Sequence, residues 1–147
     1  MKLDDTDKKI IDYLIGDARL SARQIALKME MSTVTVLSRM KKLEAEKIIT
    51  GYSALIDHEK LGYDLTAIIE IVGKKDKLFK IQEKLSGIEN VCAVYDITGT
   101  TDTIVVCKFK KREELSNFVK EIASIPHIEN TITHVALNTV KEDFRLT

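Results

Sequence analysis

Tryptophan is absent from this chain, proline occurs once and cysteine twice in 147 residues. The two cysteines, Cys92 and Cys107, lie in apolar runs that read as strands, and buried thiols in a reducing cytoplasm are expected. Neither these cysteines nor His58, His127 and His134 have the spacing of metal ligands, so no metal site is expected. No apolar run approaches membrane-spanning length, and residues 1–12 are too charged for the apolar segment of a secretory leader. Also missing are a Ser-His-Asp order, a glycine-rich phosphate loop and a carboxylate pair in a plausible cleft, so neither an enzyme nor a cofactor is expected. An excess of one charge is lacking too: 23 basic side chains balance 23 acidic ones. Charge must therefore be read by segment. Residues 1–52 carry 10 basic against 8 acidic side chains, a net of +2, and the remainder carries 13 against 15, a net of −2. That asymmetry is small but has the sign of an N-terminal nucleic-acid module. The shortage of Trp and Pro, beside many Ile, Lys and Glu, matches the composition of heat-adapted proteins.

What is present centres on the stretch from Ser32 to Ile49. Ser32 is a suitable N-cap, and Val36, Met40 and Leu43 recur at helical spacing as one apolar stripe. The other side carries Thr35, Ser38, Lys41 and Lys42, a face suited to phosphates and base edges. Upstream, residues 4–15 read as a helix capped by Asp4, with Asp5 and Asp7 in its first turn and Ile10, Ile11 and Leu14 inward. Ser21 and Gln24 have capping-box spacing and open a second helix with Ile25, Ala26 and Met29 inward. The short turn Glu30-Met31 then leads to Ser32, which completes a helix-turn-helix pattern. Thr33, Val34, Thr35 and Ser38 would reach base edges, the Val34 methyls meeting a thymine methyl, and Lys28, Lys41 and Lys42 would meet phosphates. Arg39 flanks the buried stripe and would either bind a phosphate or guanine or pair with an acid of the first helix. The plain alternative for this face is an ordinary solvated helix surface.

From Ile48 to Asp57 the period changes, and Ile49, Tyr52, Leu55 and Ile56 around Gly51 read as a strand pair or wing. The connector His58–Gly62 sets the boundary between a domain at 1–57 and another at 63–147. The second half reads as strand 65–72, helix 76–85, strand 91–98, strand 103–109, helix 113–124 and strand 128–140. Leu78, Ile81 and Leu85 face inward in one of these helices, and Leu115, Phe118, Val119 and Ile122 in the other; Pro126 ends the latter. This β-α-β-β-α-β order is the ferredoxin-like arrangement, which makes the chain α+β. Such a sheet has one face under its two helices and leaves the other for a second copy, so a dimer is expected. The turn Thr98–Asp102 offers backbone donors and threonine hydroxyls to a carboxylate, and Asp102 to an ammonium group. Equally, it reads as a plain turn in which Gly99 supplies positive φ and Asp102 bonds its own backbone. Thr131, Thr133 and His134 lie on the last strand, and an edge or interface position is favoured for His134.

The chain resembles the Lrp/AsnC family of feast/famine regulators over nearly its whole length. The resemblance rests on residues 3–10 (LDDTDKKI), 32–49, Leu61-Gly62-Tyr63, Thr98–Asp102 and the ending from Ile125 to Thr131. It implies a winged helix-turn-helix, spanning roughly Arg23 to Lys42, and a C-terminal effector-sensing and oligomerising domain. It further implies dimers that often assemble into octamers, semi-palindromic promoter sites, and amino acids as effectors. The implied DNA-facing set is Arg23, Lys28, Ser32, Thr33, Val34, Thr35, Ser38, Arg39, Lys41 and Lys42. The implied effector set is Thr98, Gly99, Thr100, Thr101, Asp102, Ser116, Lys120, Thr131 and Thr133. Five positions depart from the family pattern. Thr33 stands where Pro is frequent, Lys47 where Gly is common, Thr101 and Thr103 where the turn usually has an aromatic, and Lys120 where some relatives offer an acid. A left-handed backbone at Lys47 would carry a modest strain cost. The function expected is a sequence-specific transcription regulator whose effector couples to assembly. The rivals are an architectural DNA-binding protein, a protein-binding regulator of an enzyme and, more remotely, a metal sensor.

Overall fold

The computed structural model describes residues 2–146. It divides the chain into two units: one ends at Ile56 and includes the chain from Glu142 onward, and the other is Asp57–Lys141.

Three helices build the first unit: α1 (Asp5–Gly16), α2 (Ala22–Lys28) and α3 (Thr33–Ala45). Each begins where a side chain can satisfy free backbone donors. The Asp4 carboxylate accepts from Asp7 N at 2.8 Å, and the Asp7 carboxylate accepts from Asp4 N at 3.2 Å. Ser21 and Gln24 exchange the same reciprocal pair at 3.2 and 2.8 Å. Ser32 Oγ accepts from Thr35 N at 3.1 Å. The helices meet over Ile10, Leu14, Ile25, Ala26, Val36 and Leu43, with Ile11, Met29, Met31, Met40 and Ile49 half-buried around them. Helix α3 ends in a left-handed turn at Lys47, φ 55°. There Lys47 N donates to Glu44 O at 3.0 Å and Ile48 N to Leu43 O at 2.9 Å, the paired bonds of a Schellman cap.

The strand pair expected over 48–57 does not form among the described residues. A strand needs a hydrogen-bonding neighbour, and this unit consists of helices. Gly51 also lacks the positive φ that a tight hairpin turn requires. Tyr52, Leu55 and Ile56 are exposed, and Tyr52 is tethered to α3 by its hydroxyl, which donates to Glu44 Oε1 at 2.8 Å.

The second unit contains β1 (Leu65–Gly73), α4 (Leu78–Ser86), β2 (Val91–Asp96), β3 (Thr103–Phe109), α5 (Arg112–Ala123) and β4 (Ile128–Val135). The four strands form one antiparallel sheet in the order β2-β3-β1-β4, the ferredoxin-like topology. Alternation divides the residues of each strand between two faces. Ala67, Ile69, Ile71, Val105, Cys107 and Phe109 pack against Ile81 and Leu85 of α4 and Leu115, Phe118 and Ile122 of α5. The register places Ile68, Glu70, Tyr95, Ile104, Val106, Ile132 and His134 on the opposite face. Gly73 closes β1 at a register shift, where an added Cβ would come within 3.0 Å of Ile81 Cδ1 and 3.3 Å of His127 O.

Two strands are shorter than expected because their partners run out. Strand β4 stops at Val135 instead of 140; Val135 pairs with Ala67, and Ala136 N makes the last bond, to Thr66 O at 2.8 Å. Strand β2 stops at Asp96 instead of Thr98, after which Ile97 N bonds Asp102 O at 2.9 Å and the chain turns. A short 3-10 turn, Lys75–Lys77, occupies the expected start of the helix that begins at Leu78. No helix among the described residues is long and apolar enough to cross a membrane.

Candidate DNA-binding face and effector site

Helix α3 has two sides of different chemistry. Val36 and Leu43 are wholly buried and Met40 half-buried, which fixes the helix against its neighbours. Thr33, Val34, Thr35, Ser38, Lys41 and Lys42 are exposed, Val34 to 78%. An isopropyl group so exposed contributes nothing to its own core and is available for apolar contact with a partner. Ser32 Oγ and Thr35 Oγ1 lie 2.7 Å apart, so these two hydroxyls are bonded to each other while Ser32 Oγ also accepts from Thr35 N. Arg23 is exposed on α2.

Two of the expected DNA-facing cations lie beside α1. Lys28 Nζ stands 5.9 Å from the centre of the Tyr13 ring. Arg39 Nη1 donates to Asp4 Oδ2 at 2.6 Å and to Asp7 Oδ1 at 2.8 Å. Of the alternatives open to Arg39, the free side chain takes the pairing with acids of the first helix. The Asp7 side chain is only 7% exposed, so its carboxylate needs this partner. The hydrogen bond from Arg39, helped by the Asp7 backbone N–H, holds the Asp4 carboxyl below the usual carboxylate range. The same two acids, Asp4 first and then Asp7, raise Arg39 above its ordinary value. Asp4 was legible as a helix cap and Asp7 as an acid of the first turn; their service to a cation 32 to 35 residues away was not.

In the second unit, the turn from Thr98 to Asp102 is held largely by its own chain. Gly99 has φ 124°, which only glycine adopts readily. Asp102 Oδ2 accepts from Gly73 N at 3.1 Å, and Asp102 N donates to Ile71 O at 3.0 Å. The Asp102 carboxylate therefore serves the backbone of β1 rather than that of its own turn. Thr101 is buried, whereas Thr98 and Thr100 are exposed. Ile71 pairs with both Thr103 and Thr131, so the register brings the turn and Thr131 to the same end of the sheet. Thr131 and Thr133 are half-buried, and Ser116 and Lys120 are exposed on α5.

Sequence reasoning missed two polar clusters here. Gln82 Nε2 donates to Asp96 Oδ1 and to the buried Thr103 Oγ1, each at 2.9 Å. His134 Nε2 lies 2.9 Å from Glu70 Oε1 on the face of the sheet away from the helices. The period-two alternation of β1 and β4 put Glu70 and His134 on one face, but only the register shows that they meet.

Comparison with known proteins places both units. A family model described as "Lrp/AsnC ligand binding domain" matches residues 66–146, and one described as "Winged helix-turn-helix DNA-binding" matches residues 3–50. The chain is 47% identical over 146 residues to an uncharacterized HTH-type transcriptional regulator of Pyrococcus furiosus, covering 99% of each chain. It is 36% identical over 144 residues to the HTH-type transcriptional regulator FL11 of Pyrococcus horikoshii, covering 98% of this chain and 95% of the relative. Among solved structures it is similar to a transcriptional regulator from Neisseria meningitidis in complex with L-Met. That match has TM-score 0.89 and 26% identity and covers 99% and 97% of the two chains. The chain thus belongs to the Lrp/AsnC family of transcriptional regulators, with a DNA-binding winged helix-turn-helix domain followed by a ligand-binding domain.

Proposed function

We propose that this regulator reads specific, two-fold-related promoter half-sites through α3, and that a small effector of the amino-acid class couples its assembly to that reading. The observation that carries the proposal is the exposed face of α3, with Val34 and Ser38 along it and Lys41 and Lys42 beside them, on a helix capped and packed behind. Short hydroxyl and aliphatic side chains suit base edges in the major groove, and lysines suit the phosphates on either side. Residues 1–57 would act as the DNA-binding domain, 58–62 as a connector and 63–147 as the sensing and assembling domain.

An amino-acid effector is supported by the L-Met complex of the Neisseria relative and by the polar groups at one end of the sheet, Thr98, Thr100 and Thr131. Dimerisation through the open face, and octamers built from dimers, would supply two copies of α3 to one duplex. Half-sites must then lie about one helical turn, roughly 34–36 Å, or a multiple apart. An architectural role is disfavoured by the charge balance: a protein that coats any duplex needs a surplus of cations, and residues 1–52 carry a net of only +2. The protein would act in the cytoplasm.

Gel filtration and footprinting with and without each amino acid test the coupling. At least one amino acid is expected to shift both the assembly and the footprint. Unchanged elution and unchanged footprints across the whole set would overturn the effector part.

A further inference from the structure

On α3, Arg39 neighbours Ser38 on the helix proposed to enter the groove, where a guanidinium could take a phosphate or a guanine edge. Its side chain is committed elsewhere. Nη1 bridges Asp4 Oδ2 at 2.6 Å and Asp7 Oδ1 at 2.8 Å. The other oxygen of each acid is also occupied: Asp4 Oδ1 accepts from Asp7 N at 2.8 Å and Asp7 Oδ2 accepts from Asp4 N at 3.2 Å. These contacts close a ring in which the capping box of α1 is the receptor for a cation on α3.

The ring supplies what the packing does not. Helix α2 is fixed to α3 by the short turn between them, whereas α1 reaches α3 across space. The apolar contacts of Ile10, Val36 and Leu43 resist separation but are non-directional, so they permit small slides and rotations. Charge-assisted bonds to a planar guanidinium are directional, and they weaken with either movement. We infer that Arg39 is a positioning residue: it sets the placement of α3 against α1 and makes no contact with DNA. Asp4 and Asp7 are its partners in that role. The inference rests on the DNA-binding reading for its consequence, and on geometry alone for its cause.

The acids give the sharper test, because they could never bind a phosphate themselves. If Arg39 were a DNA contact, Asp4→Asn would release it and remove a repelling charge, so binding would tighten. If Arg39 positions α3, Asp4→Asn loosens the ring while asparagine keeps the cap, and binding to the preferred site weakens. Wild type, Asp4→Asn, Arg39→Gln and Arg39→Lys would be titrated against a duplex recovered from a random pool by the wild type. A scrambled duplex of equal length and a range of salt complete the design. Circular dichroism would confirm that each variant is folded.

The expected result is a loss of roughly tenfold on the recovered duplex for Asp4→Asn and Arg39→Gln, with Arg39→Lys in between. Binding to the scrambled duplex and the salt slope should stay as in the wild type. A salt slope lowered by about one in Arg39→Gln, with both duplexes weakened alike, would make Arg39 a phosphate contact and overturn the inference. Tighter binding by Asp4→Asn would do the same. Residual dipolar couplings of the free protein decide the cause without DNA. The angle between α1 and α3 should change in Asp4→Asn and Arg39→Gln, and an unchanged angle would overturn the assignment. A wild type that binds no duplex would instead count against the DNA-binding reading, and the couplings would still judge Arg39.

Discussion

Single residues carry the clearest departures from the family pattern. Lys47 occupies a left-handed position that closes the Schellman cap of α3. A Cβ there costs roughly 1–2 kcal/mol, and glycine removes that cost at the expense of about 0.5–1 kcal/mol of unfolded-chain entropy. Lys47→Gly should therefore raise stability by about 0.5–1 kcal/mol, read as a higher denaturation midpoint at unchanged slope. A lower midpoint would mean that the lysine side chain supplies a compensating contact. The left-handed turn at Lys47 was foreseeable only through the resemblance, because relatives commonly carry glycine there. The direction of Arg39 was not, because its partners are set by how α1 and α3 meet. Asp102 was ambiguous for the same reason: its acceptor role for Gly73 N depends on where β1 ends. Asp102→Ala should cost about 1–3 kcal/mol in the absence of any effector, since it leaves a part-buried N–H unpartnered. An unchanged midpoint would return Asp102 to the list of purely ligand-binding groups.

At the scale of elements, the periodicities of three and four residues placed all the longer helices. The period-two runs placed the strands, with errors at their ends where partners ran out. The segment 48–57 misled because apolar residues grouped around a glycine suggest paired extended chain, while pairing needs a neighbour that the local sequence cannot reveal. Within β3, Cys107 is wholly buried and desolvation, with a smaller contribution from Cys92, pushes its thiol from 9.0 up to about 12. A thiol raised in the fold favours the protonated form. Its contribution to stability is therefore full below pH 9.0, the unperturbed value, and declines as pH rises toward about 12. A thiol reagent at mild pH should modify Cys92, which is exposed, and reach Cys107 only on unfolding. Equal native rates at both positions would contradict the buried placement of β3. On α3, the two sides of the helix should separate cleanly. Leu43→Ala should cost about 2–5 kcal/mol of stability. Lys42→Ala should leave stability alone and lower the salt slope of duplex binding by about one. A Lys42→Ala variant with an unaltered slope would remove that lysine from the phosphate-facing set.

For the whole molecule, the sequence reading set the boundary at the connector His58–Gly62, and the structure divides the two units between Ile56 and Asp57. The return of the chain from Glu142 onward to the first unit was not visible, since its residues carry no pattern that names a partner. The open sheet face is the surface proposed for assembly. Ile132, 44% exposed in the single chain, sits there beside Glu70 and Ile68. Ile132→Lys should leave each chain folded and lower the mass seen by sedimentation to that of a single chain, and an unchanged mass would move the dimer contact elsewhere. The central claim is that α3 reads sequence as one half of a symmetric pair. Its most direct test is selection of bound duplexes from a random pool by the full-length protein. The account predicts enrichment of a two-fold symmetric motif whose half-sites lie about one helical turn or a multiple apart. Recovery of duplexes without a shared motif, at an affinity equal to that for random DNA, would contradict it.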